Sequence, residues 1–390
     1  MVPWCQIVRS KVLPSSKPQR VVFLTPILDG YGAARTLYSV ISQMENEGIS
    51  VEVWYPKDTK IDFTFPQSFS DLITFHQMNL PVLRRKQVYK IHFLFTLIGY
   101  IASSFKIRKL TFSPEYSNSV FHVFTAASIL GIFLVPRRRR LLSVHEFSQN
   151  NFERFLLKVL LRISGSNRVF ASHAVMNHFG VKGEVIYSGA DISVFKGHKK
   201  ELFKQGDTLN ILCVGRIAQT KGQLVLLQAL AELIKDYENF HAIFVGLPFR
   251  DTREYMDACL EFTRLNGLEK NVEFIGEKND VDEYYLWSHL VVVPSIQPEA
   301  FGKVVVEGMA SSNVVVATGI GGPLEVIEDK VNGFFVSSNS PQQITETISK
   351  VLYGDFDLQN FLNAARNRAA CFDSSLAGNQ YTECIKRIFD

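Results

Sequence analysis

Short apolar runs alternate with helix-like stretches along this chain. Residues 21–26 are apolar and end in Asp29-Gly30-Tyr31-Gly32; a helical pattern follows over about 33–47, stops at Gly48, and gives way to a second apolar run at 49–55. Strand, glycine turn, helix and strand in that order predict a βαβ unit, hence a parallel sheet with helices on its faces. Further strands are expected at 120–124, 140–144, 168–171 and 184–187. A polar stretch at 197–207 precedes a second start: a strand at 210–215, a helix over 222–237, then strands at 241–246, 272–275, 290–293, 314–317 and 333–336, with a helical tail from about 357. The pattern predicts an α/β protein with two doubly wound, Rossmann-like domains.

Length agrees, since 390 residues exceed what one core usually supports. Apolar residues make up 46% and charged residues 21%, which excludes a disordered or fibrous chain. The formal charge of +4 hides an asymmetry: residues 1–200 hold 26 Lys and Arg against 12 Asp and Glu, and the rest hold 16 against 26. The first half is therefore expected to favour anionic surfaces. Basic clusters at Arg84–Lys86, Lys106–Lys109 and Arg137–Arg140 flank an aromatic-rich region with Phe93, Phe95, Tyr100 and Phe105, a combination that suits either peripheral contact with anionic lipid or a solvated basic face. No pattern of a nucleic-acid-binding module accompanies it, so nucleic acid is not an expected partner. Five scattered cysteines without C-x-x-C spacing argue against a disulfide framework or zinc site and for a cytoplasmic setting. No secretory leader is expected, and the apolar stretch at 91–105 is shorter than the roughly 20 residues a bilayer crossing needs.

The chemistry concentrates at strand ends. After the run at 290–293, Ser295-Ile-Gln-Pro-Glu299-Ala300-Phe301-Gly302-Lys303 leads into a helix that carries Glu307. Free N–H groups at a helix start attract phosphate, whereas the two acids would repel it and are suited to hydroxyls. A nucleotide sugar offers hydroxyls on both sides of its diphosphate. After the strand at 210–215, Gly215-Arg216-Ile-Ala-Gln-Thr-Lys221-Gly222 sets a guanidinium and an ammonium before a helix start, where they can pair with a diphosphate or stand as a solvated basic loop. Gly30-Tyr31-Gly32 lacks the third glycine of a dinucleotide fingerprint and is weak on its own. Asp280-Val281-Asp282 reads D-x-D, but no apolar strand precedes it, and a helix cap is the better reading.

Two glutamates eight positions apart, in Glu299-Ala-Phe-Gly-Lys-Val-Val-Val-Glu307, resemble the signature of the family-4 retaining glycosyltransferases of GT-B fold. The resemblance is dense over 211–336 and poor between 57 and 140. It implies two Rossmann-like domains facing a central cleft: an acceptor-side domain at 1–200, a donor-nucleotide domain at 201–372, and a last helix at 373–390 returning to the first. By the same resemblance Glu299 meets the donor sugar, Glu307 the ribose, and Arg216 and Lys221 the diphosphate. Gly30 and Gly32 let the backbone approach the donor, Ala300, Phe301, Gly302 and Lys303 complete its site, and His145, closing the strand at 140–144, lies near the reactive carbon. Ser188 stands where the family's junction element has asparagine, and Gly319–Glu325 matches a glycine loop that packs around the donor.

The function so implied is retaining transfer of a hexosyl group from a UDP- or GDP-sugar to a hydroxyl of a glycan or lipid-linked acceptor. No cofactor or metal is expected, with Arg216 and Lys221 in place of a cation, and the expected place is the cytoplasm, at the inner face of the membrane. The alternatives are a nucleotide-sugar epimerase of the same fold and a non-catalytic nucleotide-sugar-binding subunit.

Overall fold

A computed structural model of the chain describes residues 20–28, 32–57, 59, 70–82, 93–198, 200–248, 253–278, 280–354 and 356–389. They form two compact units: the described residues up to Gly189 together with those from Ser374 onward, and Ala190–Asp373.

The first unit holds strands β1 (Arg20–Leu24), β2 (Ser50–Pro56), β3 (Ile73–Met78), β4 (Ser119–Val123), β5 (Arg140–Val144), β6 (Asn167–Phe170) and β7 (Glu184–Val185). They pair in parallel in the order β3-β2-β1-β4-β5-β6-β7. Helices α1 (Gly32–Asn46), α2 (Phe93–Thr111), α3 (Asn151–Ile163) and α4 (His173–Phe179) connect them. The central strands β4 and β5 are buried along their whole length, as expected of a parallel sheet covered on both faces. At the edge, β3 buries only Ile73 among its six residues. It is absent from the apolar runs of the sequence because an exposed edge strand needs no apolar pattern.

The second unit repeats the architecture with β8 (Leu209–Val214), β9 (Phe240–Val245), β10 (Val272–Gly276), β11 (Leu290–Val293), β12 (Val314–Thr318) and β13 (Phe334–Val336), in the order β10-β9-β8-β11-β12-β13. The valine-rich β11 and β12 are fully buried. Helices α5 (Gln223–Leu233), α6 (Arg253–Leu265), α7 (Asp282–Trp287), α8 (Lys303–Ala310), α9 (Pro323–Val326), α10 (Pro341–Tyr353) and α11 (Leu358–Ala370) complete it. Its strand order reverses between β8 and β11, so their carboxyl ends flank the topological switch point, where such sheets bind ligands.

The division falls after Gly189, earlier than the sequence boundary at 200. Lys200 shows why. Its ammonium donates to the Tyr285 carbonyl (2.8 Å) and to Asn313 Oδ1 (2.7 Å), tying the segment after Gly189 into the second unit. Burial among these neutral acceptors pushes its pKa down to about 7.

The last helix, α12 (Ser374–Phe389), packs on α1, and Ala377, Tyr381, Cys384 and Ile385 join Leu37, Val40, Ile41 and Met44 in one core over the first sheet. Lys386 bonds Glu47 at 2.8 Å at the rim of this contact. The C-terminal residues thus belong to the first unit's hydrophobic core. Ile385→Ala, at a fully buried position, should cost about 2–5 kcal/mol in urea unfolding; a cost near zero would show that α12 is dispensable to that core.

Candidate active site

Both loops at the second unit's switch point are shaped by backbone contacts before any side chain acts. The loop after β8 runs through Arg216 to a short turn at Gln219–Lys221 and then to Gly222, which opens α5. The Thr220 carbonyl accepts the N–H groups of Ile296 (2.9 Å) and Gln297 (3.3 Å) from the loop after β11. Gly222 has φ of +72°, and a Cβ there would lie 2.0 Å from the Pro294 carbonyl oxygen. Only glycine lets the two loops approach this closely. Gln223, which is buried, braces the first loop from behind, donating to the Arg216 carbonyl (3.0 Å) and accepting from Ala218 N.

That approach sets Lys221 against Glu299. The Lys221 ammonium donates to Glu299 Oε1 at 2.6 Å, and the Ser295 hydroxyl donates to the same oxygen. Glu299 Oε2 takes no hydrogen bond from the described residues, so one carboxylate oxygen is fixed and the other is open to a ligand hydroxyl. Burial raises the Glu299 pKa, but the Lys221 charge and hydrogen bond, the Ser295 hydroxyl and the Arg216 charge outweigh it and hold the carboxyl below its ordinary value.

The backbone of Glu299 is clamped as well. Its carbonyl accepts from Gly322 N at 2.8 Å, and a Cβ at Gly321, where φ is +73°, would meet that carbonyl at 2.4 Å. The glycine loop after β12 therefore backs the acidic loop. Ala300 is half-buried in the turn, Gly302 is the N-cap residue of α8, and Lys303 is its first helical residue. Phe301 differs from the expectation for a donor-contacting side chain: it is 3% exposed and its ring packs on Phe372 at 5.6 Å, so the side chain anchors the loop. Within α8, Glu307 Oε2 accepts from the Tyr285 hydroxyl at 2.7 Å, and Tyr285 is itself buried against Phe195. The structure thus brings Arg216, Lys221, Glu299 and Glu307 to one sheet end. Ser295 and Gln223 brace partners within seven positions of themselves, whereas Tyr285 reaches Glu307 from 22 positions away and carries no sequence signal.

The D-x-D tripeptide is a helix start. Asp280 Oδ1 accepts Asp282 N at 3.0 Å, and Asp282 opens α7.

In the first unit, His145 follows β5. Its Nδ1 pairs with Ser188 Oγ and its Nε2 with the Tyr381 hydroxyl, each at 3.3 Å, and its ring stacks on Phe124 at 4.5 Å. Tyr381 comes from α12, so the returning helix helps to fix the imidazole. Gly32 is the exposed first residue of α1, whereas Gly30 lies outside the described residues.

Replacing Glu299 by Gln leaves Lys221 short of its partner and should cost about 1–2 kcal/mol at neutral pH, discounted for the solvent that reaches the pair. Because the carboxyl's folded pKa is lowered, its stabilisation is complete above the unfolded carboxylate range and is lost as pH falls through the lowered value. Urea unfolding of the two forms should therefore show a gap at neutral pH that closes in acid; a gap independent of pH would contradict the pairing.

The family model described as glycosyl transferases group 1 matches residues 194–368, the span that holds both loops. A capsular polysaccharide biosynthesis glycosyltransferase of Staphylococcus aureus is 26% identical over 310 residues, covering 79% of this chain and 78% of that protein. The chain spans 43–49% of the length of the first curated relatives it matches. Among solved structures, a glycosyltransferase from Rickettsia africae superposes with a TM-score of 0.76 at 20% identity, over 96% of this chain and 99% of that one. HepE of Anabaena, solved with UDP and glucose, gives 0.73 at 22% identity, over 93% and 98%. The chain has the GT-B fold, and residues 194–368 of its second unit are similar to the group 1 glycosyl transferases.

Proposed function

We propose that this protein is a retaining glycosyltransferase that moves a hexosyl group from a UDP- or GDP-sugar to a hydroxyl of a glycan or lipid-linked acceptor, without a metal ion. One observation carries the reading: among the described residues Lys221 and Glu299 are paired at the switch point through Oε1 alone, beside Arg216 and the start of α8.

Arg216 and Lys221 hold the donor diphosphate, with the first N–H groups of α8 adding donors to its oxygens. Glu299 Oε2 accepts a hydroxyl of the transferred sugar. Glu307, oriented by Tyr285, accepts from the ribose. In the transfer step the bond from the anomeric carbon to the phosphate oxygen breaks with its electron pair going to the phosphate. The acceptor oxygen bonds the same carbon on the same face, and its proton passes to the leaving phosphate oxygen. The cations stabilise the negative charge that develops there. His145 is assigned to the sugar by the family resemblance and by its place at the end of β5. The name of the Staphylococcus relative favours capsular polysaccharide assembly as the setting; the cytoplasm, at the inner face of the membrane, follows from the family resemblance alone.

A thermal-shift series of nucleotides and nucleotide sugars identifies the donor, because a ligand present at about 100 times its Kd stabilises by roughly 2.7 kcal/mol. With that donor, Lys221→Ala and Glu299→Ala should each lose about 100- to 1000-fold in transfer while remaining folded. Full activity in either purified variant removes that residue from the mechanism. Turnover of the donor to an epimer without acceptor would replace transfer by epimerisation.

A further inference from the structure

The first unit carries a surface that the second unit's chemistry does not use. Helix α2 lacks a single apolar face: Ile101, Phe105 and, just past its end, Phe112 are 50%, 58% and 63% exposed. Successive steps of four and seven residues set them on one stripe of the helix. Lys106 and Lys109 are exposed between them, and the Arg108 guanidinium lies 5.1 Å over the Phe112 ring. Arg108 also donates to the Leu134 carbonyl at 3.1 Å, which joins this stripe to the turn that carries the exposed Arg137 and Arg138.

The run at 137–140 is only half a surface cluster, contrary to its reading as one basic face. Arg139 is buried and donates to the carbonyls of Ser119, Thr111 and Tyr116; Arg140 is buried and donates to those of Val135, Ser164 and Phe133. These two guanidiniums are held by neutral oxygens, so their charge reaches outward uncancelled. From 93 to 183 the chain has twelve Lys and Arg and three Asp and Glu, and none of the acids falls between 116 and 145. The third basic cluster, Arg84–Lys86, lies outside the described residues.

We infer that this face, the outer stripe of α2 with the turn at Arg137–Arg138, docks on an anionic lipid surface. Its side chains match the two layers of such a surface. Phe105 and Phe112 reach the acyl boundary while Lys106, Lys109, Arg137 and Arg138 meet the lipid phosphates. A dense positive patch alone would suit any polyanion. The aromatic side chains at its centre, which water solvates poorly, favour lipid over nucleic acid. Attachment through this face lies along the surface, and no helix among the described residues is long and apolar enough to cross a membrane. The inference stands apart from glycosyl transfer, because none of these residues belongs to the Lys221–Glu299 site.

The test is flotation of the full chain with phosphatidylcholine vesicles, with and without phosphatidylglycerol. Binding should require the anionic lipid and weaken with added salt. Phe105→Ser with Phe112→Ser should lower partitioning about tenfold or more, and Lys106→Ser with Lys109→Ser roughly fivefold for each cation lost. Both double variants should keep the parent's nucleotide-sugar thermal shift, so a loss of lipid binding is separable from misfolding and from failure of the transferase reading. The proposal is overturned if the parent ignores anionic vesicles or binds neutral ones equally. It is also overturned if the phenylalanine variant floats like the parent, or if single-stranded RNA displaces the parent and binds that variant undiminished.

Discussion

The arrangement of the second unit turns on the ion pair between Lys221 and Glu299, 2.6 Å apart and separated by 78 positions in the chain. Neither charge could stay half-buried alone without a desolvation cost of several kcal/mol. The pair exists because two strand-end loops are stitched together through Thr220 and because Gly222 leaves room for the Pro294 carbonyl. The backbone sets the loops and the loops set the charges. A ligand entering this site meets groups whose positions are already determined, so little ordering is left to oppose its binding.

The same logic of bracing recurs one layer out. Ser295 fixes the oxygen of Glu299 that Lys221 also holds, Tyr285 fixes one oxygen of Glu307, and Gln223 fixes the arginine loop. In the first unit Ser188 and Tyr381 do this for His145. Each bracing group is neutral, so it orients its partner without cancelling charge. The proposed roles, cations for a diphosphate and acids for hydroxyls, rest on side chains these groups already hold in place. In the proposed function a charge-dense anion and a hydroxyl-rich sugar have distinct partners within one small region.

Much of this was legible in the sequence, and the reasons differ by element. Strands such as β11 and β12 are covered on both faces and read as plain valine runs; the motif carrying Glu299 and Glu307 stands out because it follows one of them. The edge strand β3 stayed hidden, since Ile-Thr-Phe-His-Gln-Met buries one residue and needs no pattern. The run at Arg137–Arg140 could not be split by sequence into two exposed and two buried guanidiniums, because the carbonyls that receive Arg139 and Arg140 come from five other segments of chain and turn. Tyr285, Tyr381 and Phe301 had no visible assignment as bracing or anchoring groups for the same reason: the partner that defines each role is distant in sequence.

The division of labour between the paired charges is the central claim, and titration calorimetry with the cognate nucleotide sugar and with its nucleoside diphosphate tests it directly. Lys221→Met should weaken both ligands, whereas Glu299→Gln should weaken the nucleotide sugar and leave the nucleoside diphosphate as tight as before or tighter. Equal losses for both ligands in the Glu299→Gln form, or no loss for either in the Lys221→Met form, would contradict the account.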